Sequence, residues 1–304
     1  MHSVGDNPSE SSLQNTFSKY VSMLLYFVKL RSQVYIFPWS TLISVLIASN
    51  GNPDLWITGN VVFGIYFIAL ATYIYNDITD MDLDKINAAN RPIVSGKISK
   101  RSATALFMIL TSAALALNAS INIQTAMVAL ACVALGVIYS HPRTHFKDKF
   151  PFKTLITAGG AGLASVIGGF AVGNLSPYVI FASLLFFLYF FILGPLGDID
   201  DLRGDRMGRR RTFPIVLGVR PTLALILSIP IAIMLSTIFI HEMINISLPG
   251  LLLIISVCAV SFAFLYPLIR RWNDRPYVQT TRHKVRFMHV LLQLALLVGV
   301  FHII

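Results

Sequence analysis

The stretch YIYNDITDMDLDKINAANRPIVSG, residues 73–96, directly follows an apolar run long enough to cross a membrane. The stretch contains four aspartates: Asp77, Asp80, Asp82 and Asp84. Positions 77, 80 and 84 are spaced i, i+3 and i+7, so an α-helix would place them on one face over two turns. An arginine directly before a proline follows at 91 and 92. The pattern predicts a group of carboxylates at the end of an apolar helix, close to a basic residue.

The composition of the chain is that of an integral membrane protein. Hydrophobic residues make up 55% of its 304 residues and charged residues 12%. The mean hydropathy of +0.70 is too apolar for a soluble globular protein of this size. A membrane-spanning helix needs roughly 20 apolar residues. The chain divides into nine such runs: 33–49, 54–76, 102–118, 122–139, 154–173, 177–196, 220–240, 248–269 and 286–303. We therefore expect an all-α polytopic membrane protein with nine transmembrane helices.

The basic residues are distributed on one side of these runs. All 24 Lys and Arg residues lie before the first run, in every second joint between runs, or at the first position of the run that follows such a joint. Because such residues accumulate in cytoplasmic loops, the distribution predicts a cytoplasmic N-terminus. It also accounts for the net charge of +10 without nucleic acid as a partner. Residues 1–18, which are polar, are expected to form a disordered tail ahead of one transmembrane domain over 19–304.

A second acidic stretch repeats the first. GDIDDLRGD, residues 197–205, contains four further aspartates: Asp198, Asp200, Asp201 and Asp205. Positions 198, 201 and 205 follow positions 77, 80 and 84 at a constant interval of 121 residues. Two copies of one pattern, four runs apart, indicate two pseudo-symmetric halves around a central cavity, with a site between them at its cytoplasmic mouth.

The two acidic stretches favour a metal-dependent phosphate site. Stacked carboxylates repel each other, and oxygen ligands without His or Cys favour Mg²⁺ or Mn²⁺ over zinc. Mg²⁺ commonly bridges carboxylates to phosphate oxygens, and neighbouring Arg and Lys suit the remaining phosphate charge. We expect a diphosphate clamp above an apolar cavity. A solvated helix end would explain a single acidic stretch, but it explains two stretches of matched spacing less well. A proton relay in a transporter is the other alternative, and it would use acids inside the spans rather than at their ends.

Three strings resemble signatures of the UbiA superfamily of intramembrane prenyltransferases. NDITDMDLDKINAANRPIVSG, 76–96, resembles the first signature, and GDIDDLRGDRMGRRRTFPIVLG, 197–218, resembles the second. YSHPRTHFKDKFPFK, 139–153, is similar to the lysine-bearing loop after the fourth helix of that family. The first string is most similar to the geranylgeranylglyceryl phosphate and homogentisate-type prenyltransferases. The resemblance extends over nearly the whole chain.

The resemblance implies roles for particular residues. Mg²⁺ would be held by Asn76, Asp80, Asp84, Asp198, Asp201 and Asp205, and these aspartates would carry catalysis together with Asp77. The diphosphate would contact Arg31, Arg91, Tyr139, Lys147, Lys153 and Arg211. Asp82 and Asp200 lie off the two helical faces and are expected to be solvated or to support the ligands. For Tyr73, an anchor at the membrane interface is favoured over a place on the cavity wall.

The resemblance also implies the reaction. A polyprenyl group would leave its diphosphate as an allylic carbocation and join a small aromatic or glycerol-phosphate acceptor, with Mg²⁺ as cofactor and the lipid bilayer as environment. Gly197 stands where these relatives commonly carry Lys or Asn, which leaves open an alternative, a terpene cyclase that closes the polyprenyl chain on itself without an acceptor. The third hypothesis, from another class, is a transporter or lipid-binding protein.

Overall fold

The computed structural model describes residues 18, 20–29, 32–87 and 91–302, and all regular structure in this part of the chain is helical. The helices are α1 Tyr20–Lys29, α2 Ile36–Ala48, α3 Leu55–Thr79, α4 Met81–Asn87, α5 Lys100–Ala119, α6 Ile123–Ser140, α7 Phe152–Val172, α8 Pro177–Asp200, α9 Leu202–Met207, α10 Phe213–Val216, α11 Val219–Ile240, α12 Leu248–Leu265, α13 Leu268–Arg271 and α14 Arg275–Val300, with 3₁₀ turns at Ser32–Tyr35 and Phe146–Asp148. Arg31 and the predicted tail at 1–18, except Ser18, lie outside the described residues.

Eight helical segments of the described chain are long and apolar enough to cross a membrane, α12 and α13 counting as one. They correspond to eight of the nine predicted spans. The remaining prediction, 33–49, is observed as a 3₁₀ turn followed by α2, whose 13 residues are fewer than the roughly 20 that a span needs. The all-helical membrane fold is confirmed, whereas the count of nine spans is not.

Side-chain caps set the starts of several long helices. Asp54 accepts a hydrogen bond from the Ile57 amide at 2.8 Å, which begins α3. Asp274 accepts one from the Tyr277 amide at 3.2 Å, which begins α14. Such caps satisfy amides that have no partner inside the helix. Because of its cap, α14 begins well before the predicted span at 286, in a segment rich in Arg that hydropathy alone does not include.

The interval of 121 residues recurs in the helices. Shifted by this interval, α3 covers 176–200, which is almost the range of α8, and α5 covers 221–240, nearly that of α11. Where α2 crosses α7, the hydroxyls of Ser44 and Ser165, 121 residues apart, lie 2.7 Å from each other and share a hydrogen bond. Gly168 permits this crossing, since a Cβ there would lie 2.7 Å from the Thr41 carbonyl oxygen. The two repeats therefore meet directly in the bundle.

The repeats enclose a central cavity of about 360 Å³. Its walls are formed by six helices: α2, α3, α6, α7, α8 and α14. The largest buried apolar cluster lies beside it, mainly on α8, α11, α12 and α14. This packing fixes the ends of α3, α7, α8 and α14 around one mouth, where the predicted site residues are found.

Candidate active site

The cavity is apolar except at its mouth. Its apolar lining includes Ile36, Phe37, Ile65, Ile68, Leu135 and Phe190. The polar groups that line it lie near the mouth ends of their helices and include Asn76, Lys153, Asp198, Asp201, Arg282 and Arg286. Residues of both acidic motifs therefore contribute to a single cavity. An enclosed apolar cavity with a few convergent polar groups is the usual form of a small-molecule site.

The first motif lies where α3 ends and α4 begins. Asp77 is in the last turns of α3 and Asp84 in α4, and both are buried. Arg91 joins them, because its Nη1 donates to Asp77 Oδ1 at 3.0 Å and also to Asp84 Oδ2. Burial raises the pKa of Asp84, and the Arg91 charge acts in the opposite direction. The first motif is thus held in place by a guanidinium between two carboxylates.

Asp80, which ends α3, belongs to a second set of contacts. The buried ammonium of Lys147 donates to Asp80 Oδ1, and Asn76 Nδ2 donates to Asp80 Oδ2 at 3.1 Å. The Ser140 hydroxyl, at the end of α6, donates to Asn76 Oδ1 at 2.9 Å. Both oxygens of Asp80 therefore accept hydrogen bonds, and Asn76 is fixed on two sides.

The second motif lies where α8 ends and α9 begins. Lys153, from the start of α7, donates to the fully buried Asp198. Asp205 is buried in α9, with Arg210 Nη1 at 3.5 Å from its Oδ1. The Oδ2 atoms of Asp198 and Asp205 are buried and have no hydrogen-bond partner among the residues that the structure describes. Asp201, between them, is exposed at the mouth. The second motif therefore retains carboxylate oxygens that can accept further contacts.

The loop between α6 and α7 connects the two motifs. Lys147 reaches Asp80 of the first motif, while the next residue, Asp148, pairs with Arg210 Nε at 2.9 Å. Arg210 also reaches Asp205 of the second motif. Burial alone would lower the pKa of Arg210, but Asp148 and Asp205 raise it above its usual value. Adjacent residues of one 3₁₀ turn thus link both halves of the site.

The structure places the predicted diphosphate contacts in different environments. Lys153 and Tyr139 line the cavity, and Arg91 and Lys147 bind motif carboxylates. Arg211 is exposed, and its backbone amide donates to the Asp148 carbonyl at 2.9 Å. Among the described residues Arg211 forms no ion pair with a motif carboxylate, whereas the neighbouring Arg210 reaches Asp205.

The structure also places three residues whose roles the sequence left apart from the diphosphate contacts: Tyr73, Asp82 and Asp200. Tyr73 lines the cavity, which is the alternative that the sequence ranked second. Asp82 is exposed and pairs with Lys85 at 2.7 Å, as expected for a solvated side chain. Asp200 accepts from Arg275 Nε and Gln279 Nε2, each at 3.2 Å, so it joins α8 to α14.

Sequence reasoning missed three basic residues at the site: Arg210, Arg282 and Arg286. Arg210 lies in a run of three arginines, and the sequence does not distinguish which of them turns inward. Arg282 and Arg286 are four residues apart and share a helix face. Arg282 precedes the last predicted span and Arg286 is its first residue, and basic residues at this place were interpreted only as determinants of topology. Their spacing is the signal that could have identified them.

The donor set fits a hard divalent cation. Among the described residues, no three His, Cys, Asp or Glu side chains already converge as a complete metal cage. Mg²⁺, however, needs only one or two carboxylates when waters and phosphate oxygens complete its shell. The unused buried oxygens of Asp198 and Asp205 are suitable ligands of this kind. The residues at the mouth therefore fit Mg²⁺ together with a phosphorylated ligand.

Comparison with known proteins identifies the family. A model of the UbiA prenyltransferase family matches residues 37–298. The chain is 30% identical to the digeranylgeranylglyceryl phosphate synthase of Methanosphaera stadtmanae over 194 residues, 62% of this chain and 69% of that protein. It is 26% identical to the protein of that name from Methanocaldococcus jannaschii over 257 residues, 84% of this chain and 87% of the other. The 4-hydroxybenzoate octaprenyltransferase of Pseudoalteromonas atlantica is 34% identical over a shorter stretch, 37% of this chain and 41% of that protein.

Solved structures share the fold. A structure concerning digeranylgeranylglyceryl phosphate synthase in membranes has a TM-score of 0.77 with 21% identity, over 94% of this chain and 100% of the other. A UbiA homolog from Archaeoglobus fulgidus bound to GPP and Mg²⁺ has a TM-score of 0.69 with 18% identity, over 89% of this chain and 98% of the other. With a family match over most of its length, the chain belongs to the UbiA prenyltransferase family and is a multi-pass membrane prenyltransferase.

Proposed function

We propose that the chain is a Mg²⁺-dependent enzyme that transfers a polyprenyl group from its diphosphate to a small acceptor. One observation carries this proposal: a single apolar cavity is open at a mouth to which both acidic motifs contribute. Such a cavity suits a ligand with a hydrocarbon chain and an anionic head. The Archaeoglobus fulgidus homolog, whose fold this chain shares, is bound to GPP and Mg²⁺, which supports the same class of donor here.

The residues of the mouth would hold the diphosphate in place. Asn76, Asp80, Asp84, Asp198, Asp201 and Asp205 would hold Mg²⁺, with Asp77 beside them. Bound Mg²⁺ supplies Lewis-acid stabilisation of the leaving group. Lys147 and Lys153 already lie within hydrogen-bond distance of motif carboxylates, so their ammonium groups can stabilise developing negative charge on the diphosphate. Arg91 keeps two of the aspartates at a fixed separation.

The reaction balances as a substitution at the allylic carbon. The bond from that carbon to the diphosphate oxygen breaks, and the electron pair leaves with diphosphate. The acceptor hydroxyl oxygen then bonds to the carbon and loses its proton to solvent at the mouth. Between these events the allylic cation must be shielded from water, which the apolar wall provides. Phe37 and Phe190, whose ring centroids are 5.2 Å apart on that wall, can stabilise a cation by about 0.5–2 kcal/mol each.

The relatives favour a transferase over a cyclase. The proteins compared with this chain are named for transfer to a glycerol-phosphate lipid or to 4-hydroxybenzoate, and both acceptors are anions. We propose a glycerol-phosphate lipid as acceptor because the relatives aligned over most of the chain carry that name. An aromatic acid is the second candidate.

The test uses purified protein in lipid nanodiscs with geranylgeranyl diphosphate and Mg²⁺. Geranylgeranylglyceryl phosphate or 4-hydroxybenzoate is added as acceptor, and diphosphate and lipid products are measured. We expect diphosphate release and a new ether lipid with the first acceptor, both abolished by a chelator. A cyclic hydrocarbon formed without acceptor would replace the proposal by the cyclase. No diphosphate release with either acceptor would contradict it.

We also propose that the mouth faces the cytoplasm and that one domain extends over 19–304. The distribution of basic residues supports this orientation. The variants Met207→Cys and Met243→Cys are made on a background without native cysteines. Met207 ends α9 near the mouth and Met243 lies between α11 and α12 at the opposite end of the bundle, and the two native residues are 70% and 82% exposed. An impermeant thiol reagent should label position 243 in intact cells and position 207 only after permeabilisation. The reverse pattern would invert the orientation.

A further inference from the structure

Two arginines of α14 line the cavity, and the transfer mechanism above does not use them. Arg282 and Arg286 are four residues apart, so they lie on one face of the helix. Because α14 begins at the mouth, Arg286 is about 6 Å further along the helix axis than Arg282. Both are only partly buried, at the cavity surface. They bring two positive charges to the cavity wall from α14.

These arginines differ from the other basic residues of the site in their pairing. Arg91, Lys147, Lys153 and Arg210 each contact a carboxylate. In the described part of the chain, Arg286 has no carboxylate within 4.0 Å. Arg282 Nη1 lies 4.0 Å from Asp200 Oδ2, a carboxylate that Arg275 and Gln279 already contact at 3.2 Å. The α14 pair is therefore a local excess of positive charge.

The guanidinium of Arg282 occupies a defined place. A Cβ at Gly197 would lie 3.0 Å from Arg282 Nη2 and 3.1 Å from its Cζ. The absence of a side chain at 197 thus makes room for the guanidinium. Arg282 Nε is buried and has no hydrogen-bond partner among the described residues. A buried donor without a partner is costly, so this one is available to a ligand.

We propose that Arg282 and Arg286 form an acceptor subsite that binds a phosphate monoester, apart from the donor diphosphate. The inference rests on the proposed function and specifies the class of its acceptor. Planar guanidinium groups match phosphate oxygens bidentately, and two of them one turn apart match a dianion. A diphosphate held through Mg²⁺ belongs beside the carboxylates. Arg282 shares Asp200 with Arg275 and Gln279 and contacts it only at 4.0 Å, so both arginines of α14 keep donors that can bind an anion directly. Tyr73 of α3 lines the same cavity as the two arginines, which places the subsite between α14 and α3.

The test separates binding from turnover. Arg286→Gln, Arg282→Gln and Arg286→Lys are compared with Lys284→Gln, a control on the same helix whose native side chain is exposed over the Phe264 ring. Titration calorimetry without donor measures the affinity for geranylgeranylglyceryl phosphate and for geranylgeranylglycerol, which lacks the phosphate. Steady-state kinetics measure KM for acceptor and donor separately.

We expect each Gln variant to weaken binding of the phosphorylated acceptor by about tenfold or more, because a charge-assisted bidentate contact is lost. The donor KM of each Gln variant should change less than twofold, because the lost contact is to the acceptor phosphate and not to the donor diphosphate. Lys284→Gln should match the wild type. Arg286→Lys should bind the phosphorylated acceptor more tightly than Arg286→Gln but less tightly than the wild type, since Lys keeps the positive charge and lacks the planar guanidinium. Binding of geranylgeranylglycerol should be weak and independent of both arginines.

Other results would overturn the subsite. An equal rise in donor KM would assign the arginines to the diphosphate. Equal affinity of the wild type for the phosphorylated and unphosphorylated lipid would show that no phosphate is recognised, and arginine-dependent binding of 4-hydroxybenzoate alone would assign a carboxylate acceptor. If arginine-dependent binding of the phosphorylated lipid occurs without turnover, the proposed transfer fails and the subsite stands.

Discussion

The two acidic motifs have the same spacing but different surroundings. In the first, Asn76 and Lys147 satisfy both oxygens of Asp80. In the second, the position 121 residues after Asn76 is Gly197, and the space of a side chain there is taken by the guanidinium of Arg282, which comes from α14. A duplicated motif has therefore kept its carboxylates while changing what stands beside them.

The difference shows how a repeated site becomes asymmetric. The aspartates of the first motif are fixed by contacts from nearby segments, including the clamp made by Arg91. Within the described part of the chain, the second motif keeps buried oxygens of Asp198 and Asp205 without hydrogen-bond partners. It shares its cavity with the two arginines of α14, of which Arg282 lies against Gly197. We infer that the first motif chiefly orients the donor and that the second also faces the acceptor.

The largest expected effect concerns whether both motifs serve one reaction. Asp80→Ala and Asp201→Ala should each lower kcat/KM by about 10³-fold, because each removes a proposed ligand for the metal that would stabilise the leaving group. The double variant should lose little more than either single variant, as residues that act as a unit are strongly non-additive. Mg²⁺-dependent diphosphate release from the two single variants and the double variant measures this.

Expression level and thermal unfolding in detergent serve as controls for that series. Additive losses in free energy would separate the motifs into two independent sites. Near-normal turnover of either single variant at limiting Mg²⁺ would remove its aspartate from the metal site.

The second prediction compares the stability of the two motifs. Arg91→Gln removes the guanidinium between two buried carboxylates, Asp77 and Asp84, and should lower the free energy of unfolding by about 3 kcal/mol, as expected for breaking a buried ion pair. Arg210→Gln should cost about 1 kcal/mol, because its partner Asp148 is partly exposed and Asp205 lies at the longer distance of 3.5 Å. Denaturant titration in mixed micelles measures both. Equal losses of unfolding free energy in the two variants would contradict the inference that Arg91 holds the first motif more firmly than Arg210 holds the second.

The third prediction makes the second motif more like the first. Gly197→Asn adds a side chain where the Arg282 guanidinium lies 3.0 Å from an added Cβ, so the guanidinium must move. We expect KM for the phosphorylated acceptor to rise about fivefold with donor KM nearly unchanged, since a displaced Arg282 guanidinium can no longer bind phosphate oxygens bidentately. Gly197→Ala, which needs a shift of only a few tenths of an ångström, is the matched control and should have a smaller effect. A larger rise in donor KM than in acceptor KM would contradict this role of Arg282.

The smallest expected effect concerns Asp82, the aspartate of the first motif that lies off the helical face. Its side chain is 87% exposed and pairs with Lys85, which is 56% exposed. Such surface pairs contribute about 0–1 kcal/mol, so Asp82→Asn should change neither unfolding nor turnover by more than about twofold. A large loss of activity would show that the motif uses a fourth carboxylate.

Much of the fold could be predicted because hydropathy and charge act over whole segments. Runs of apolar residues identified the long helices, and the repeated spacing of aspartates indicated two halves. Hydropathy was less informative at the boundaries. The first predicted span, 33–49, combines a 3₁₀ turn with the short helix α2, and α14 begins at 275 because of the Asp274 cap rather than at its first apolar residue.

The sequence by itself determined the chemical type of the site: carboxylates at helix ends, basic loops on one side and an apolar interior, since these follow from composition and local spacing. Tertiary structure alone decided which cations meet which carboxylates. Arg210 rather than Arg211 turns toward the second motif, and Arg282 reaches Gly197 from a helix that begins about 80 residues later. Such contacts depend on how helices distant in sequence cross and on the space left between them. No local pattern contains that information.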